Sequence, residues 1–227
     1  MKKWKVDRRN FLKIGMGASA GAVALTGLMP QALAATCGLT PPQTPGPFYP
    51  GEQNFTPEND LTQVPGRTVR ALGQVIYVTG KVLDPACRPI EGATVEIWQA
   101  CASGRYDNPK DENPAPLDAN FRYWGEAYSD ANGFYSFKTI KPGAYPADAT
   151  WTRPPHIHFK VSRRGYKELV TQLYFAGDAL NDKDLILQNV PKAEQKSVIV
   201  NFTPSALDLE PGSLSGTFDI TLQSVRG

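Results

Sequence analysis

Both histidines of this 227-residue chain fall in one short segment, RPPHIHFKV, running from Arg153 to Val161. In an extended segment successive side chains alternate faces. His156 and His158 therefore point one way, and Ile157, Phe159 and Val161 the other. The apolar face reads as packed core. The opposite face carries two imidazoles roughly 7 Å apart at their Cα atoms, from about 3.4 Å of rise per residue. That separation suits two ligands converging on one metal ion. It suits equally well two polar residues on a solvated strand face, and the segment alone does not choose between them.

The elements that would have to hold these residues are short and β-rich. VIYVTGKVLD (75–84), ATVEIWQA (93–100), FYSFKTI (134–140), HIHFKVS (156–162), ELVTQLYF (168–175), SVIVNF (197–202) and TFDITLQ (217–223) are enriched in β-branched and aromatic residues. DPACRP, DANG and KPG punctuate them as turns. Helical periodicity is weak, with at most a short turn or two over 179–188. This pattern predicts an all-β fold, an antiparallel β-sandwich with little helix. One excursion, residues 101–133, exceeds the roughly 12–15 residues at which structureless loops become uncommon. It carries Tyr106, Tyr123, Trp124 and Tyr128, a composition poorly suited to disorder, and is expected to be a functional loop folded over one end of the sandwich.

Several stretches together resemble one family. GKVLDPACRPIEGATVEIWQACASGRYDN, PAPLDANF, YSDANGFYSFKTIKPGAYP, WTRPPHIHFKV and TQLYFAGD, in this order and spacing, are similar to the intradiol ring-cleavage dioxygenases, most of all to their protocatechuate 3,4-dioxygenase branch. TPPQTPGPFYP is similar to the N-terminal arm of that group. The resemblance implies one non-haem Fe(III) per chain, held by Tyr106 of GRY, Tyr145 of GAYP, His156 and His158. It implies that Arg153 lies beside the substrate and that Gln172 of TQLYF stands behind the ligands. The chain departs from the usual pattern at Pro155, often an alanine, and in a shorter segment between Tyr145 and His156, both in the pocket wall.

The implied donors make chemical sense for a ferric ion. Phenolate is a hard anionic ligand, and a trivalent cation favours that form despite an intrinsic pKa near 10. Imidazole suits iron as a neutral ligand. The activity implied is insertion of both atoms of O2 between the two hydroxylated carbons of a catechol, giving a muconate-type diacid. Rival readings exist. GKVLDPACRPIEGATVEIW and SDANGFYSFKTIKPGAY are also similar to transthyretin-like or carboxypeptidase-regulatory sandwiches, which bind without chemistry, although such modules lack the GRY loop, RPPHIH and TQLYF. A metal-free partner subunit and a Zn(II) or Cu(II) site are the remaining alternatives.

The N-terminus reads as an address. MKKWKVDRRNFLKIG places Arg8-Arg9 before Phe-Leu-Lys, an apolar stretch runs from Ile14 to Leu28, and small residues stand at Ala32 and Ala34. This predicts a twin-arginine signal peptide over 1–34 and a periplasmic or extracellular protein. The apolar stretch is shorter than the roughly 20 residues a membrane span needs, so no stable anchor is expected. An N-terminal arm over 35–70 and a catalytic sandwich over 71–227 would follow. Residues 1–34 hold six Lys/Arg and one Asp, so their removal turns the formal +2 of the chain into a small negative charge. Nucleic acid is accordingly not an expected partner; a catechol-type substrate and O2 are, with a homo- or hetero-oligomer open. Cys37, Cys87 and Cys101 allow at most one internal disulfide, whose pairing the sequence leaves open.

Overall fold

The structure is a computed structural model that describes residues 36–51, 56–206 and 209–225. The expected signal peptide lies outside the described residues. In chain order the strands are β1 (Val75–Leu83), β2 (Thr94–Trp98), β3 (Trp124–Tyr128), β4 (Phe134–Ile140), β5 (Tyr145–Pro146), β6 (Thr152–Arg153), β7 (His156–Ser162), β8 (Leu169–Phe175), β9 (Ile199–Val200), β10 (Thr203–Pro204), β11 (Leu214–Thr217) and β12 (Ile220–Thr221). Between β8 and β9 lie a 3-10 turn, Asn181–Lys183, and two four-residue helices, α1 (Leu185–Gln188) and α2 (Lys192–Gln195). None of the helices among the described residues is long and apolar enough to cross a membrane.

β1 is buried along nearly its whole length and forms the middle of one sheet. β4 pairs antiparallel along one edge, while β11 and β12 run parallel to it along the other. The second sheet has the order β3-β2-β7-β8-β9. The two sheets pack face to face, as a half-apolar strand pattern requires. Ile76, Val78 and Phe137 meet Val95, Ile97, Ile157, Phe159, Val161 and Leu173 in one core. Phe159 is its hub, with ring centroids 4.9 Å from Phe218, 6.2 Å from Tyr135 and 6.5 Å from Phe137.

The expected sandwich is therefore present, with four differences in detail. Its central pairings are antiparallel, but β1–β11, β1–β12 and β8–β9 are parallel. The expected excursion over 101–133 is not one loop, because Trp124–Tyr128 inside it forms β3, in register with β2 from Thr94↔Tyr128 to Trp98↔Trp124. Gly125 weakens the strand signal there; a Cβ at that position would lie 2.5 Å from Leu61 Cδ1, so the arm packs where a side chain would stand. The strand expected over 217–223 is split into β11 and β12. At the break Phe218 donates its N–H to the Thr79 carbonyl and Asp219 accepts from the Lys81 N–H. SVIVNF shrinks to the two residues of β9, since the turn after α2 takes up Ser197 and Val198.

The disulfide is Cys37–Cys87, across a sequence separation of 50, and Cys101 is free and buried. It fastens the start of the arm to the turn after β1. From there the arm bonds in turn to Thr221 and Val170, and so runs along the edge between the sheets. A loop of this size contributes about 4 kcal/mol in the chain-entropy view. Replacing Cys37 and Cys87 together by serine should therefore lower Tm by roughly 10 °C in calorimetry; an unchanged Tm would show that the bridge constrains nothing.

Candidate metal centre

The face of the second sheet turned away from the core is built by strand register. Trp98 stands opposite His158, His158 opposite Gln172, and His156 opposite Tyr174. Alternation thus gives Ile157, Phe159 and Val161 to the core and both histidines to the other face, as the sequence pattern predicts. Both imidazoles are nonetheless buried, so the solvated-strand alternative is wrong. The Trp98 indole stacks on the His158 ring at 4.7 Å and 6° and fixes its plane.

Two tyrosines reach the same place from outside the sheet. Tyr106 follows a tight turn after β2, in which Gly104 donates its N–H to the Cys101 carbonyl and Tyr106 donates its own to Asp111. Tyr145 opens β5 and lies directly opposite Arg153 in the two-residue β5–β6 ladder. Glycine lets the two segments touch. A Cβ on Gly104 would lie 2.3 Å from the Ala144 carbonyl oxygen, and one on Gly143 2.5 Å from that of Ala102. Gly104 also has φ +84°, a region that L side chains rarely adopt. The glycines of GRY and GAYP are thus what bring their tyrosines together.

The four rings lie close together. Ring centroids are 5.6 Å apart for Tyr106 and Tyr145, 5.7 Å for Tyr145 and His156, 4.9 Å for the two histidines, and 6.3 Å for Tyr106 and His158. Tyr106 Oη lies 3.3 Å from His156 Nε2. His156 Nδ1 is 2.8 Å from the Pro154 carbonyl oxygen. A carbonyl only accepts, so Nδ1 carries the proton and Nε2 keeps a lone pair turned into the cluster. Burial, with Arg153 nearby, holds both imidazoles well below their usual pKa, so they are neutral. Burial likewise pushes the phenols of Tyr106 and Tyr145 up, opposed at both by the Arg153 charge.

Does this set fit a metal ion? Among the described residues His158 Nδ1 is buried without a hydrogen-bond partner, an orphaned polar atom beside the cluster. No group of three or more His, Cys, Asp or Glu side chains gathers among the described residues. A metal here must therefore take the phenols as well as the imidazoles. Two phenol oxygens and two neutral imidazoles suit a ferric ion better than the softer divalent alternatives. The donor set fits iron(III).

Arg153 is buried behind the cluster. Its Nε donates to Asp184 Oδ2 at 2.8 Å, and its Nη2 to Gln172 Oε1 at 2.8 Å and Tyr174 Oη at 3.2 Å. Gln172 does not join the four rings. It ties Arg153 to the arm by donating Nε2 to the Thr44 carbonyl, and Tyr174 does the same by donating to Gln43. The arm then closes the face. Gly46 passes over His158, with the Cβ position 3.5 Å from Cε1. Phe48 packs 4.7 Å from Tyr106 and 6.1 Å from Tyr145. Tyr49 donates to Glu96 at 2.7 Å, and Lys160 pairs with the same carboxylate at 3.2 Å. The sequence reading missed Tyr174, Asp184, Phe48 and Trp98 as parts of this site. Tyr174 was accessible from strand parity with Gln172, whereas Asp184 gives no local signal beyond that of a helix cap.

The family model described as "Dioxygenase" matches residues 45–224, which include all six expected site residues. The chain is 41% identical over 181 residues to the protocatechuate 3,4-dioxygenase beta chain of Burkholderia cepacia, covering 78% of this chain and 76% of that protein. It is 32% identical over 139 residues to catechol 1,2-dioxygenase of Candida albicans, where the match spans 56% of this chain but only 43% of that enzyme. Among solved structures, the dioxygenase domain of a dioxygenase carbohydrate-binding protein fusion from Streptomyces sp. SirexAA-E superposes with a TM-score of 0.62 at 28% identity, covering 83% of this chain and all of that one. The chain belongs to the intradiol ring-cleavage dioxygenase family. The transthyretin-like reading is thereby set aside.

The close approach of the two glycine motifs has a measurable consequence. Gly104→Ala should cost about 1–3 kcal/mol, from the left-handed φ and the overlap with the Ala144 carbonyl. The checks are Tm and the Tyr106–Tyr145 separation in a crystal structure. Wild-type stability with the tyrosines unmoved would mean the glycines do not set the site.

Proposed function

We propose that the protein is an exported intradiol dioxygenase in which Tyr106, Tyr145, His156 and His158 hold one non-haem iron(III) and a catechol-type substrate is opened by O2. The observation that carries this is the convergence of two phenols and two neutral imidazoles under a buried arginine. When bound, the ion supplies Lewis acidity that withdraws charge from a chelated catecholate and prepares its ring for O2. The chain does the rest. Its arm, through Gly46, Phe48 and Tyr49, excludes water from the His158 and Tyr106 side. Tyr145, placed opposite Arg153 on the two-residue ladder, would hold the ion as phenolate, and its oxygen would take the proton released by the entering hydroxyl. Arg153 keeps its charge in the buried site because Asp184 compensates the loss of water, and it stabilises negative charge on the ring carbon under attack.

Sequence similarity to a protocatechuate enzyme's beta chain makes carboxylated catechols the first substrates to test, with catechol and hydroxyquinol beside them. That relative's description as one chain of an enzyme also supports an oligomer. Residues 1–34 act as a twin-arginine signal, followed by the arm over 35–70 and the catalytic sandwich over 71–227 in this reading.

Arg153→Leu should lower turnover by about 10²-fold while iron stays bound, and Tyr106→Phe and His158→Ala should each reduce iron content and the tyrosinate colour. The product from ¹⁸O2 should be a muconate-type diacid carrying both labelled atoms. A semialdehyde, or activity that needs added Fe(II), would overturn the reading. Conversion of Arg8 and Arg9 to lysine should leave the precursor inside the cell; unchanged export in fractionation would rule out the twin-arginine route.

A further inference from the structure

Arg153 must be both buried and aimed, and one residue outside the expected site accounts for both. Asp184 is fully buried and lies 31 residues along the chain from Arg153, at the N-cap of α1. Its Oδ1 accepts the backbone N–H groups of Ile186 at 3.1 Å and Leu187 at 2.8 Å, so the carboxylate is anchored by the helix it caps. Its Oδ2 accepts Arg153 Nε at 2.8 Å, and Oδ1 lies 3.3 Å from Nη2. The guanidinium is thus gripped along its Nε–Nη2 edge, with Gln172 and Tyr174 completing that side. Nη1 makes none of these bonds. The guanidinium carbon lies over the Trp151 ring, 5.4 Å from its centroid, and Tyr145 stands opposite Arg153 in the β5–β6 ladder.

An arginine cannot shed its charge by deprotonating, so a buried one without a partner leaves for water or destabilises the fold. A planar fork gripped on one edge can only present the other. We propose that Asp184 is a positioning residue for ring cleavage, which through its two-point grip on Arg153 keeps the guanidinium buried and turns Nη1 toward the substrate. This rests on the reading that Arg153 acts on the substrate.

The test uses the mature, iron-loaded protein and compares Asp184→Ser, Asp184→Asn, Arg153→Leu and the Asp184→Ser/Arg153→Leu double variant with catechol as substrate. Serine can still cap α1 but is too short to reach Arg153. Asparagine keeps the shape and the cap while removing the charge. Asp184→Ser should lower kcat by about ten- to a hundredfold, with KM within about threefold and with iron content and visible spectrum unchanged. Asp184→Asn, whose amide NH2 faces Arg153 Nε once its oxygen caps α1, should lower kcat as well. The double variant should be no slower than Arg153→Leu alone, because Asp184 acts only through Arg153. Wild-type kcat in folded, iron-retaining Asp184→Ser would overturn the proposal, as would a double variant slower than Arg153→Leu by the full Asp184→Ser factor. Should Asp184→Ser fail to fold, Asp184→Asn decides, and wild-type kcat there overturns the proposal. If Arg153→Leu is itself fully active, this inference and the role given to Arg153 fail together; if Arg153→Leu is slow and Asp184→Ser is not, only this inference fails.

Discussion

Two imidazoles, two phenols and a guanidinium are buried together on the outer face of one sheet, and most of the surrounding structure follows from the cost of keeping them there. Burial drives both histidines to the neutral form and both tyrosines away from ionisation, so the four rings alone are an uncharged polar cluster. The guanidinium has no neutral form to adopt and needs Asp184 beside it. A cation at the centre of the rings reverses the preference of the phenols, since phenolate is then the favoured state.

That constraint explains why the covering elements are so firmly tied. The first part of the arm is fixed by Cys37–Cys87, next by bonds to Thr221 and Val170, and then by the Tyr49–Glu96–Lys160 group. Gln43 and Thr44 connect the arm directly to Tyr174 and Gln172, and through them to Arg153. A cover that lifted readily would admit water to five polar groups arranged for its absence. The glycines at 104 and 143 serve the same end, by letting two backbone segments approach until their tyrosines share one site.

Much of the fold was legible because its central strands carry the alternation that a two-layer sandwich demands. β4 and β7 begin and end where their apolar patterns do, and β1, β2 and β8 differ only slightly from the expected ranges. The elements that escaped lack that signal. β3 has a glycine as its second residue and an arm residue packed over it. β5 and β6 are two residues each, too short to show a period. The division of the last strand at Phe218 depends on hydrogen bonds to Thr79 and Lys81, far away in the chain.

The sequence by itself determined which side chains could meet. Period-two alternation put His156 and His158 on one face whatever the rest of the chain did, and the GRY, GAYP, RPPHIH and TQLYF motifs supplied the other candidates. It also determined that at least one cysteine of three would be left over, but not which. Only the tertiary structure decided that Cys101 is that one, that the two tyrosines close over the histidines, that Gln172 holds the arginine, and that Asp184 is what the arginine leans on. The physical reason is the same in each case. Strand parity is a local property of the backbone, whereas burial, charge compensation and backbone contact depend on segments brought together from distant parts of the chain.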